Sequence, residues 1–190
     1  MKLARIGAIC MIAASLFLSA CQPQAAMAPP ETFEISSQQV TFTPPAESWG
    51  EKKIASLPHD GNDQKTPDTV VSFIPPIPNS SLTVSGMGNW PQSSWEENQE
   101  ATNDFTRQIQ TNILKRSQGE IIKQRTAHLD GEPALELEVR YLEATTLMHG
   151  KQLYAIHNKT MWVIALNVPE DKWKENASIY DQLIDSWKFK

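Results

Sequence analysis

Asp130-Gly131-Glu132-Pro133-Ala134-Leu135-Glu136-Leu137-Glu138-Val139-Arg140-Tyr141 is the stretch on which the fold class turns. Asp-Gly is a strong signal for a tight hairpin, because both central residues of the favoured turn need positive φ. Behind it, Leu135, Leu137, Val139 and Tyr141 alternate with Glu136, Glu138 and Arg140. That period of two predicts an antiparallel strand with one buried face and one wet face.

Working outward, residues 120–129 form the preceding arm of the hairpin, and residues 145–156 continue the meander. A turn at Asn158-Lys159 leads into Met161 to Val168, a largely apolar run that reads as a central strand. Pro169 suits the first position of a helix, with Glu170 and Asp171 in its first turn. Trp173, Ala177, Tyr180, Ile184 and Trp187 then recur at spacings of three and four, and residues 186–190 offer a short closing strand.

Upstream lies a second helix, expected over about residues 94–117. Ser94 with Glu97, or Ser93 with Glu96, has the capping-box spacing, and Phe105, Ile109 and Ile113 make an apolar stripe. Before it, Val40-Thr41-Phe42, residues 49–57, Thr69 to Ile74 and Ser81 to Gly86 read as strands, with a polar turn-rich loop over 58–68. Strand blocks with two separated helices argue for an α+β protein: an antiparallel sheet flanked by helices.

The N-terminus carries a different message. Lys2 and Arg5 precede an apolar run from Ile6 to Leu18, the pattern of a signal peptide and shorter than the roughly 20 residues a membrane-spanning helix needs. Leu18-Ser19-Ala20-Cys21 fits the bacterial lipobox at all four positions. The expected organisation is a lipoprotein signal peptide over 1–20, a lipidated Cys21 with an Ala/Pro-rich tether to residue 31, and one domain over 32–190. Two or three acyl chains on Cys21 satisfy the requirement for stable anchoring. Gln22 after the cysteine fits an outer-membrane address, facing the periplasm, in a Gram-negative cell. Cys10 and Cys21 are the two cysteines, so the processed chain would hold no disulfide. A net charge of −5 without a basic run argues against nucleic acid as a partner.

Three short pieces resemble the PsbP/Mog1/DcrB-like superfamily. They are Val40-Thr41-Phe42-Thr43-Pro44-Pro45 leading to Trp49, Asp130-Gly131-Glu132-Pro133-Ala134, and the ending from Tyr180 through Ser186-Trp187-Lys188-Phe189. The resemblance covers about residues 32–190. It implies an α-β-α sandwich and a non-catalytic binding or assembly role, but not a partner, since fold alone does not fix the function. For a membrane-tethered chain of this kind the expected partner is an envelope protein.

Little else points to chemistry. Ser85-Gly86-Met87-Gly88-Asn89 is neither a nucleophile elbow nor a phosphate loop, and no cofactor motif is present. His59-Asp60-Gly61-Asn62-Asp63 lacks the spacing of a calcium loop. His128, Asp130, His149 and His157 all fall in the meander, where neighbouring strands could gather them into a Zn²⁺ or Mn²⁺ site, or a hydrolase centre; solvent-facing and turn histidines are the plainer expectation. Trp90, with Met87, Pro91 and Ile77, is a candidate exposed rim for a partner. A carrier of a small apolar ligand is a further alternative.

Overall fold

The computed structural model describes residues 32–35, 40–46, 49, 51–56, 69–75 and 77–190. Leu18, Ser19, Ala20, Cys21, the tether and the loop containing His59 lie outside the described residues.

A seven-stranded antiparallel sheet forms the centre. Its order is β3 (Glu51–Ser56), β4 (Thr69–Ile74), β5 (Ser81–Met87), β9 (Thr160–Pro169), β8 (Thr146–His157), β7 (Glu132–Glu143), β6 (Glu120–Leu129). The hairpin turns have the conformation their residues call for. Asp130 and Gly131 have φ of 48° and 89°, and Asn158 and Lys159 have φ of 48° and 59°, so two-residue turns join β6 to β7 and β8 to β9.

The two faces are covered differently, by one helix each. Leu135, Leu137, Val139, Tyr141, Met148, Ile156 and Met161 are buried with Ile109 and Ile113 of α1 (Gln99–Leu114). On the other face, Val84, Leu153, Trp162, Ile164 and Leu166 are buried with Tyr180 and Leu183 of α2 (Trp173–Ser186). The α+β class is as the strand and helix blocks imply, and the helix–sheet–helix layering is as the resemblance implies.

A small second sheet sits on the α2 side, in the order β1 (Phe33–Ile35), β2 (Val40–Phe42), β10 (Lys188–Phe189). It joins the two ends of the domain. Phe42 stacks on Trp187 with ring centroids 5.3 Å apart and planes 3° apart, and both rings are fully buried.

Both helices begin later than their sequence signals suggest. Asn98 caps α1, its Oδ1 accepting from the Ala101 amide at 3.1 Å. Ser94 instead bridges to His157, a tertiary contact that takes residues 93–97 out of the helix. Pro169 ends β9, a single 3-10 turn over Glu170–Lys172 follows, and α2 starts at Trp173. The deepest face of α2 is Asn176, Tyr180 and Leu183, rotated from the Trp173–Ala177 stripe. Asn176 tolerates burial because its Oδ1 accepts from Trp49 Nε1 at 2.9 Å and its Nδ2 donates to the Lys172 carbonyl at 2.8 Å.

Candidate functional site

The polar row of β7 is the starting point. Antiparallel register sets Arg125 of β6 opposite Glu136 and Lys123 opposite Glu138, while Lys151 of β8 is opposite Glu138. Side chains of one pleat face stand together. The face opposite α1 therefore carries cations on β6, carboxylates on β7 and a cation on β8. Helix α2 covers this face over β9 and β8 and stops short of β6. What remains is a groove of about 670 Å³ between β6 and α2, with Leu153, Ala127 and Ile184 among its apolar contacts.

Glu136 is at the floor, with its side chain 7% exposed. It accepts from Arg125 Nε at 2.7 Å and lies 3.7 Å from Lys151 Nζ. Lys151 also donates to Asp181 of α2 at 2.7 Å and sits 4.7 Å above the Tyr180 ring. The Glu136 hydrogen bond and charge hold the Arg125 guanidinium above its already high ordinary value. Burial, followed by the charges of Glu136 and Asp181, pushes the Tyr180 phenol well above its usual value, so it stays a neutral hydroxyl. That hydroxyl is buried and has no hydrogen-bond partner among the described residues. The face expected to be wet thus contains a buried carboxylate.

A second polar cluster abuts the first. His149 Nε2 is 2.8 Å from Glu138 Oε1 and Nδ1 is 3.0 Å from Glu170 Oε2. The ring stacks on Trp173 at 3.8 Å. Arg140 donates to both Glu170 oxygens at 3.1 and 3.2 Å. Burial pushes the Glu170 carboxyl up, but Arg140 and His149 together hold it below its ordinary 4.5. These bonds fasten the entry of α2 to the sheet.

The meander residues considered for metal are dispersed. His149 and His157 are both on β8 but about 26 Å apart along the strand. His157 Nδ1 meets Glu132 at 2.8 Å, and its ring stacks on Phe189 at 4.0 Å. Asp130 accepts from Lys188 at 2.5 Å and from the Phe189 amide at 2.9 Å, which ties β10 to the hairpin. His128 is exposed on β6. No three His, Cys, Asp or Glu side chains among the described residues are grouped to hold a metal ion.

The candidate rim is divided. Trp90 is half-buried, its ring edge-on to Phe105 at 5.3 Å, and Met87 packs into the same cluster beneath α1. Pro91 is exposed. Ile77 precedes β5 while Met87 ends it, so the length of that strand, about 20 Å, separates them. Trp90 and Met87 face core neighbours, and Ile77 does not join them.

The sequence places Glu136 on a wet face and Tyr180 on a core-facing stripe, and marks none of Arg125, Glu136, Lys151 and Tyr180 as a site residue. Their signal was the charged row itself, flanked by a strand with Lys123 and Arg125 at the same parity.

No helix among the described residues is long and apolar enough to cross a membrane. No family profile and no curated protein matches this sequence. In solved structures, the chain is similar to cyanobacterial PsbP (CyanoP) from Synechocystis sp. PCC 6803. That match has a TM-score of 0.59 at 15% identity and covers 91% of this chain and 99% of the other. Weaker similarity is found to PA94, of unknown function, from Pseudomonas aeruginosa, with a TM-score of 0.45 at 12% identity over 80% of this chain and 91% of the other. LpqN of Mycobacterium tuberculosis, involved in cell envelope biogenesis, gives 0.45 at 14% over 80% and 92%.

Proposed function

We propose that this chain, which has the PsbP-like fold, is a non-enzymatic binding module of the bacterial cell envelope, held at a membrane by lipid on Cys21. The groove between β6 and α2 is its binding surface. The observation that carries this reading is how the groove's charges are engaged. Glu136 is held by Arg125 and Lys151, and Lys151 by Asp181. Each of these contacts joins a carboxylate to a cation, and none of them is the nucleophile–base pairing that covalent catalysis requires. They make a rigid, pre-organised surface, and pre-organisation lowers the entropic cost of binding.

The anchor supports the same role. Confinement to a membrane raises the effective concentration of the module near other membrane-held molecules, so modest affinity suffices. The envelope protein partner expected from the sequence belongs to this proposal.

The test of the anchor is metabolic labelling with palmitate and membrane fractionation of the full-length chain beside Cys21→Ser. The expected result is label and membrane association in the parent and loss of both in the variant. Equal membrane association without label would overturn the anchoring half of the reading.

A further inference from the structure

We propose that the outer edge of β6 takes up an extended acidic segment of the partner protein, which adds to the seven-stranded sheet as a further strand. This rests on the reading of the adjoining groove as a partner surface, and it names the partner's segment and the mode of binding.

The backbone of β6 is the first observation. β6 is the last strand of its sheet and pairs with β7 alone. Antiparallel pairs alternate between residues that exchange both hydrogen bonds and residues whose N–H and C=O point the other way. Pro133 has no N–H and stands opposite His128, so that pair is of the second kind. The same parity makes Gln124 and Thr126, opposite Leu137 and Leu135, outward residues too. Their amides and carbonyls face the open edge, where no loop or helix among the described residues bonds to them.

Burial agrees. Residues 122–126 are exposed without a break, so both pleat faces and the edge between them are open. Beyond the irregularity at Ile122 the pairing with β7 runs evenly from Lys123 to Leu129, an ordinary strand length. Backbone groups in such a row give an added strand its affinity, and the side chains give it specificity.

Charge selects the occupant. On the α2 side of the sheet the rows alternate in sign: Lys123 and Arg125 on β6, Glu136 and Glu138 on β7, Lys151 on β8. The alternation stops at β6, whose cations have a carboxylate row on one side only. A second copy of β6 would gather its own Lys123 and Arg125 on that same face, and like charges across a strand pair are destabilising. Edge cations of this kind guard against self-pairing. The same two side chains favour a strand with Asp or Glu at alternate positions.

NMR titration and amide exchange of the full-length protein in detergent test the inference, with two capped peptides, Thr-Asp-Val-Asp-Val-Asp-Thr and Thr-Lys-Val-Lys-Val-Lys-Thr. The aspartate peptide is expected to bind about tenfold more tightly than the lysine peptide, or about 1.4 kcal/mol. It should slow exchange of the Gln124, Thr126 and His128 amides and leave those of Lys123 and Arg125, already bonded to β7, unchanged. Thr126→Pro removes one outward N–H and keeps the β6–β7 ladder, a position where an edge strand tolerates proline; it should abolish peptide binding. Lys123→Glu, a surface change that does not touch the backbone, should remove the preference for aspartate. Outward amides that do not respond to millimolar aspartate peptide, or equal affinity for the two peptides, overturn the inference. So does protection of the same amides that rises with protein concentration in the absence of peptide, which would make a second copy the occupant. These results concern the edge of β6; the partner reading itself is tested apart, by crosslinking from the groove in cells.

Discussion

Replacing Glu136 with leucine removes a carboxylate that both Arg125 and Lys151 reach, and the consequences for the two cations differ. The Arg125 side chain is 50% exposed, so water takes over most of its lost interaction, and exposed pairs are worth about 0–1 kcal/mol. The Lys151 side chain is 12% exposed and cannot rehydrate in place. Breaking a buried pair by removing one partner costs about 3–5 kcal/mol. Lys151 nonetheless keeps Asp181 at 2.7 Å, which offsets part of that loss. A net destabilisation of about 2–3 kcal/mol follows. For a domain of this size it lowers the thermal midpoint by about 5–10 °C. Adding Lys151→Met removes the stranded cation. Asp181, 56% exposed, then rehydrates, and the double variant returns to within about 1 kcal/mol of the parent. Urea denaturation of the parent, both single variants and the double closes the cycle. A Glu136→Leu variant within about 0.5 kcal/mol of the parent, or a double variant less stable than Glu136→Leu, refutes the buried-pair reasoning.

Other expectations concern the rest of the fold. An alanine at Gly150 would place its Cβ 2.8 Å from Asn167 Oδ1 and 3.0 Å from Val139 Cγ2, so Gly150→Ala should cost about 1–3 kcal/mol in denaturant unfolding. Asn98→Ala should cost about 1 kcal/mol through loss of the α1 cap, read as a lower urea midpoint; Ser94→Ala should leave that cap intact. The Glu170 carboxyl is held below its ordinary 4.5 in the folded chain. Its contribution to stability is therefore fully present above that value and is lost as pH falls through the folded pKa. Urea midpoints measured between about pH 6 and pH 3 should fall more steeply for the parent than for Glu170→Gln.

The meander was legible because its information is local. Asp130-Gly131 specifies a turn, and the Leu135–Tyr141 alternation specifies which residues enter the core. Register, in contrast, is set by pairs distant in sequence. Arg125, Glu136 and Lys151 become one cluster only when three strands align, so the row Glu136, Glu138, Arg140 reads as water-facing until α2 is laid across it. The same logic accounts for the helix starts. Ser94 and Glu97 satisfy the spacing of a cap, yet the Ser94–His157 bridge joins residues distant in sequence and overrides it. The small sheet of β1, β2 and β10 brings together the two ends of the domain, whose pairing no local pattern encodes. Phe42 stacks there on Trp187, which lies between α2 and β10. The packing of Trp90 is equally hidden in the sequence, because the edge-on contact of its ring with Phe105 depends on where α1 settles.

The claim at the centre of this account is that the protein works as a tethered module through the groove between β6 and α2. Site-specific photocrosslinking in living cells addresses it most directly, with the crosslinker at Lys123 in the groove mouth or at Arg107 on the outer side of α1, each with and without Cys21→Ser. The account predicts a recurrent adduct from position 123 that is lost with Cys21→Ser, and none from position 107. Adducts from position 107 in place of 123, or adducts from 123 that persist unchanged without the anchor, would contradict it.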